Sequence, residues 1–146
     1  METQIQKYFT LESAVKLIPF IKETFDTAYQ DLAQMQDDIV LYKRLHNLYE
    51  KEDSELEETL HLQAMGDVLQ YKYQEFEARF HHWIDLFAEE GILVKDFRKG
   101  LVDFPYLAQD GTEYLLCWHM GEDGLFYFHG TEEGFTGRKP ITFLPD

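Results

Sequence analysis

Residues 87–107 read FAEEGILVKDFRKGLVDFPYL, and the register of apolar residues changes inside them. Before Gly91 apolar side chains recur every three or four positions, the spacing of one helix face. After Gly91 come short runs, ILVKD (92–96) and LVDF (101–104), broken by the turn signal RKG. Such runs between Gly-containing turns read as strands. The glycine is therefore a helix C-cap and the border between a helical half and a β half. The fold class expected is α+β.

Working backwards, Leu62, Leu69, Phe76 and Trp83 lie seven apart, and Tyr73, Phe80 and Phe87 form an adjacent row. A helix from about Glu55 to Glu90 follows. Ser54 with Glu57 three residues later makes a capping box for its start. Earlier still, Ile18, Ile21, Phe25, Ala28, Leu32, Met35, Ile39 and Tyr42 alternate steps of three and four, and His46 and Tyr49 extend the register less well. That is a coiled-coil-like seam. Thr10 is the expected N-cap. Pro19 removes one backbone donor and is expected to kink or divide this helix. The two helices, each roughly 55–60 Å long at the α-helical rise, form an antiparallel hairpin turning near Glu52. Two aromatic rows exceed what one partner helix covers, so the surplus must meet the β half or a second chain.

Working forwards, TEYLLCWHM (112–120) and LFYFH (125–129) read as two more strands, with QDG and GEDG as turns. The strands form a small antiparallel meander. The tail from Gly130, punctuated by Gly and Pro, is expected to wrap the sheet as irregular coil. The organisation expected is a helical hairpin over 1–91 and a β lobe over 92–146, together one structural domain.

Composition bounds the function. The 146 residues carry a formal net charge of −15, with 45% apolar and 16% aromatic residues. That apolar content supports a packed core. Both halves are acidic, so neither offers the basic footprint of a nucleic-acid or anionic-membrane binder. Cys117 is the single cysteine, which excludes an intrachain disulfide. No basic-then-apolar leader and no membrane-length apolar run stands in the sequence. A cytoplasmic protein is expected, with no nucleic-acid and no membrane partner.

Polar residues embedded in the β half are the candidates for chemistry. They are Asp103, His119, Glu122, His129 and Arg138, with Lys95 and Asp96 on the first strand. A buried carboxylate needs a partner, and Arg138 is the one expected for Asp103 or Glu122. Asp103 is then either an ion-pair residue or one wall of a polar pocket. Asp103, Glu122 and His129 are metal-compatible types, but their spacing fits no tight ligand motif, so neither metal nor other cofactor is expected. Cys117 and His119 share a strand face and could pair as nucleophile and base, although a lone cysteine in an apolar strand is more often core packing. GFTGRK (134–139) is no P-loop, because the Gly-Lys-Ser/Thr ending and the following helix are missing. His81 and His82 point about 100° apart on a helix and cannot serve one site. The acids around Glu50–Glu58 are those of a solvated hairpin tip.

YFTLESAVKLIPFI near the start, then VKDFRKGLVDFPYL, LLCWHMGE and FHGTEEGFTGRKPI in order, resemble the bacterial domain-of-unknown-function family 2203. The resemblance covers nearly the whole chain. It implies that Gly100, Asp103, Cys117, Trp118, Gly121, Glu122, His129, Gly134, Phe135, Gly137 and Arg138 stand at motif positions. His119 stands where the family pattern has Arg, and Phe128 where it has Trp. The first departure weighs against a site needing two cations. The resemblance implies no reaction. Two functions are therefore expected in order: a non-enzymatic interaction or scaffold protein forming a homodimer through its hairpin, and, as the alternative, a small-molecule or enzyme site built from Asp103, Glu122, His129 and Arg138.

Overall fold

A computed structural model describes residues 5, 7–50 and 56–146. Helix α1 spans Leu11–Glu50 and α2 spans Leu56–Glu89. The link placed near Glu52, with its Ser54/Glu57 box and acidic tip, lies outside the described residues and side chains. Strands follow at Leu93–Asp96 (β1), Leu101–Leu107 (β2), Glu113–His119 (β3), Tyr127–Gly130 (β4) and Lys139–Pro140 (β5). The fold is α+β, as the change of period at Gly91 predicts.

Thr10 caps α1. Its hydroxyl accepts from the Ser13 N–H at 3.0 Å, and Ser13 Oγ accepts from the Thr10 N–H at 2.9 Å. The reciprocal pair satisfies two otherwise free donors. Pro19 does not divide the helix, which runs on through it. Both Pro19 and Val15 are exposed, so the Val15 carbonyl that loses its donor can take water instead.

The chain packs as two compact units. Asp26–Trp83 is one of them, the distal part of the two helices. Asp31 receives Arg79 Nη1 at 2.8 and 3.0 Å and the Trp83 indole N–H at 2.9 Å, and Lys72 pairs with Asp38. A Cβ added at Gly66 would lie 3.7 Å from His46 Nε2. Partners that climb one helix while descending the other make the pairing antiparallel. Among the described residues, Ala28, Leu32, Ile39 and Met65 are buried along it. Met65 lies midway between Leu62 and Leu69, three residues after the one and four before the other, and completes the α2 seam.

The second unit joins the start of the chain, through Phe25, to everything from Ile84 onwards. Phe87, the last of the second aromatic row, goes here: it packs on Phe20 and Phe25 with ring centroids 6.3 and 4.7 Å away. Gly91 ends α2 with φ +81°. Its N–H reaches the Ala88 carbonyl at 2.9 Å, and the Ile92 N–H reaches that of Phe87 at 3.1 Å. This is the Schellman pattern, with the apolar Phe87 and Ile92 in the positions that usually touch.

The sheet is antiparallel in the order β1-β2-β3-β4-β5. Strand β2 continues past Pro105 to Leu107. The Pro105 carbonyl accepts from the Phe9 N–H at 2.7 Å, on the side that β1 has left, so its missing N–H breaks no ladder bond. The tail is less irregular than expected. Lys139 and Pro140 pair with Phe128 and Tyr127, between single 3-10 turns at Phe135–Gly137 and Ile141–Phe143. Two residues are too few to show alternation in sequence.

Register sorts the side chains. Val102 faces Trp118, Phe104 faces Leu116, and Leu116 faces Phe128. These five are buried on one face, where Phe9 meets Phe104 and Phe25 meets Trp118. The other face carries Leu101, Asp103 and Pro105, then Leu115, Cys117 and His119, then Tyr127 and His129. The Phe135–Gly137 turn and Arg138 lie over that second face.

Candidate functional site

Strand parity puts three chemically capable side chains next to one another on the tail-covered face. Asp103 is opposite Cys117, and His129 is opposite Leu115, one diagonal step away. Asp103, Cys117 and His129 are 1%, 1% and 3% exposed. His129 Nε2 lies 3.0 Å from Asp103 Oδ1, and Nδ1 lies 2.8 Å from the Gly130 carbonyl. A carbonyl can only accept, so Nδ1 carries a hydrogen. Nε2 then shares its proton with the carboxylate. Asp103 Oδ2 is buried and has no hydrogen-bond partner among the described residues.

The electrostatics follow from that packing. Burial alone lowers the His129 pKa, but the hydrogen bond and charge of Asp103 outweigh it, and the imidazolium ends above its ordinary 6.5. Burial beside Asp103 pushes the Cys117 thiol up to about 12, against the pull of Arg138. A thiol so held is no nucleophile at neutral pH. His119, the base that a Cys117 nucleophile would have needed, meets the Phe135 ring at 5.6 Å.

A pH dependence of stability follows. A folded-state pKa above the unfolded one means that His129 holds its proton more tightly when folded. Its contribution is fully present below about pH 6.5 and lost as pH rises through the folded pKa. Urea unfolding in chelator-containing buffer is therefore expected to show this loss, and a His129→Asn variant to lack it.

A second pair lies alongside. One terminal nitrogen of Arg138 is 2.6 and 2.7 Å from the two oxygens of Glu122. Glu122 Oε1 also accepts the His119 backbone N–H at 2.7 Å. The guanidinium lies over the Tyr127 ring at 4.0 Å and the Phe135 ring at 4.7 Å. Arg138 thus holds Glu122, as one of the two expected pairings has it. Asp103 is held by His129 and not by Arg138. The four candidates form two pairs, Asp103–His129 and Glu122–Arg138. Burial of the tail does not drive the pairing: Phe135 and Phe143 stay exposed, and Ile141 is half-buried.

Beside the first pair lies a cavity of about 150 Å³. Its walls include Lys95, Asp103, Leu115, His129, Thr131 and Phe135. Glu133, also on its wall, accepts the Gly130 N–H at 3.0 Å and pairs with Lys139 at 3.5 Å, fixing the turn that follows His129.

Cys117 is the member that sequence reading left in the apolar core. Parity on β3 separates it from Leu116 and Trp118, but its place beside Asp103 depends on the β2–β3 register. The same three residues could hold a metal ion, since their ligand atoms all lie within 4.8 Å of one another. His81 and His82 are exposed on α2, away from this cluster in sequence and unit. No described helix is long and apolar enough to cross a membrane.

Residues 7–141 match the family model DUF2203, described as an uncharacterized conserved protein. No curated protein and no solved structure matches the chain.

Proposed function

This chain belongs to the DUF2203 family, and from that premise, with no reaction to inherit, we propose that it is a non-enzymatic interaction protein that forms a homodimer through the Asp26–Trp83 hairpin. One observation carries the reading. Leu41, Leu45 and Leu48 on α1, and Val68 and Tyr71 on α2, are exposed large apolar residues of that hairpin. The leucines step by four and three, which puts them on one stripe. A groove of about 320 Å³ lined by Met35, Asp38, Val68, Tyr71, Lys72 and Glu75 runs between the helices.

Two paired helices can bury only one seam each. Two such hairpins cover their remaining stripes by closing into a four-helix arrangement. A closed two-fold pair is the commonest soluble assembly, and an apolar stripe of this extent asks for a partner. The partner proposed is a second copy of the chain. A cytoplasmic location belongs to the same proposal.

The test is Leu41→Glu combined with Leu45→Glu. Both side chains are already exposed, so the hairpin is expected to keep its far-ultraviolet helical signal while size-exclusion chromatography shows a shift from pair to single chain. An unchanged elution volume would count against the reading. A second reading, a small-molecule site in the β lobe, is favoured by the cavity beside Asp103 and His129 with Lys95 and Thr131 on its wall.

A further inference from the structure

We propose that Asp103, Cys117 and His129 form a binding site for one divalent metal ion of the zinc class. The inference is independent of the dimer. It rests on four features of the cluster.

The first is the donor set. One thiol sulfur, one imidazole nitrogen and one carboxylate oxygen come from three adjacent strands, with their ligand atoms within 4.8 Å of one another. Sulfur and nitrogen donors suit zinc and cobalt(II), and a set that includes them disfavours calcium and magnesium, which take oxygen. The second is spacing. Nε2 and Oδ1 are 3.0 Å apart. Two ligands about 2.0–2.1 Å from a tetrahedral zinc stand roughly 3.3 Å apart. This nitrogen–oxygen pair therefore needs to open by only a few tenths of an ångström to admit an ion, and Cys117 Sγ lies within 4.8 Å of both atoms.

The third is the orientation of His129. Nδ1 is held by the Gly130 carbonyl at 2.8 Å, leaving Nε2 to face the other ligands. A ligating histidine ordinarily donates its other N–H to such a group, which fixes the ring and the tautomer. The fourth is Asp103 Oδ2, a buried carboxylate oxygen without a hydrogen-bond partner among the described residues. An orphan acceptor in this position is costly to burial, and a cation satisfies it.

Charge balances. The metal-free cluster holds a carboxylate, a shared imidazole proton and a protonated thiol. A dication replaces the imidazole and thiol protons, which pass to solvent, so the buried net charge does not change. Three protein ligands leave a fourth position. The cavity of about 150 Å³ reaches Asp103 and His129, so water or a small ligand can complete the shell from that side.

The single cysteine makes the test specific. Cobalt(II) is titrated into the full chain after chelator treatment and buffer exchange. A thiolate-to-cobalt charge-transfer band in the near ultraviolet can arise only from Cys117. The band is expected to saturate at about one equivalent per chain, as for a single site, and to disappear on adding zinc. Cys117→Ser should abolish it. His129→Asn should keep the thiol and weaken cobalt binding by about tenfold or more. No band in the wild-type chain at saturating cobalt overturns the proposal, whatever the variants do. Cobalt binding without the band assigns the metal to exposed imidazoles such as His81 and His82, and overturns it too. A band equally strong and tight in folded His129→Asn and Asp103→Asn chains also overturns it, because the thiolate then binds cobalt without them.

Discussion

Replacing His129 by alanine is expected to destabilise the metal-free protein by about 3–5 kcal/mol, the range for removing one partner of a buried ion pair. The reason is what the substitution leaves behind. Asp103 is 1% exposed, and His129 Nε2 is the hydrogen-bond partner of its Oδ1. Without the imidazole both carboxylate oxygens lack a strong donor, beside a cavity also lined by the apolar Leu101 and Leu115. Adding Asp103→Leu to His129→Leu should recover much of the loss, because an apolar pair of similar volume leaves no buried charge. Urea unfolding midpoints of the single and double variants measure both effects. A His129→Ala loss below about 1 kcal/mol, the scale of a solvated surface pair, would mean that Asp103 is hydrated or neutral and that this pair does not hold the sheet.

The second largest effect is expected at Arg138. Arg138→Ala should cost about 3 kcal/mol, the lower end of the same range. Glu122 keeps the His119 backbone N–H after the substitution, so its charge is not left bare. Both side chains are also partly open, at 12% and 17% exposure. Against that, the guanidinium's contacts with the Tyr127 and Phe135 rings are lost too, which adds to the cost. Arg138→Lys should restore only part of the stability, because an ammonium contacts aromatic rings less well than a planar guanidinium does. Recovery to the wild-type midpoint in Arg138→Lys would show that charge alone, without stacking, ties the tail to the sheet.

Much of this architecture is written in local signals. The steps of three and four from Ile18 to Ile39 give the buried side of α1, and Gly91 closes α2 where the period changes. Parity along residues 114–120 assigns β3 side chains to the correct faces. What escaped depends on pairing between segments. Asp103 and His129 lie 26 residues apart, and only the β2–β3–β4 register brings them within a hydrogen bond. Arg138 looked equally suited to Asp103 because both cation and acid are legible while the path of the tail is not. Cys117 read as an apolar core residue because its neighbours Leu116 and Trp118 are, although the pleat turns it to the polar side. Strand β5 and the passage of β2 through Pro105 were missed for a related reason: each rests on which neighbour a backbone group meets.

The site and the hairpin lie in different compact units, and the functional proposal rests on the hairpin. Sedimentation equilibrium of the wild-type chain at micromolar concentration tests it most directly. A homodimer requires a mass of about 35 kDa, two copies in a closed two-fold pair. A single species at the chain mass of 17.4 kDa would contradict it.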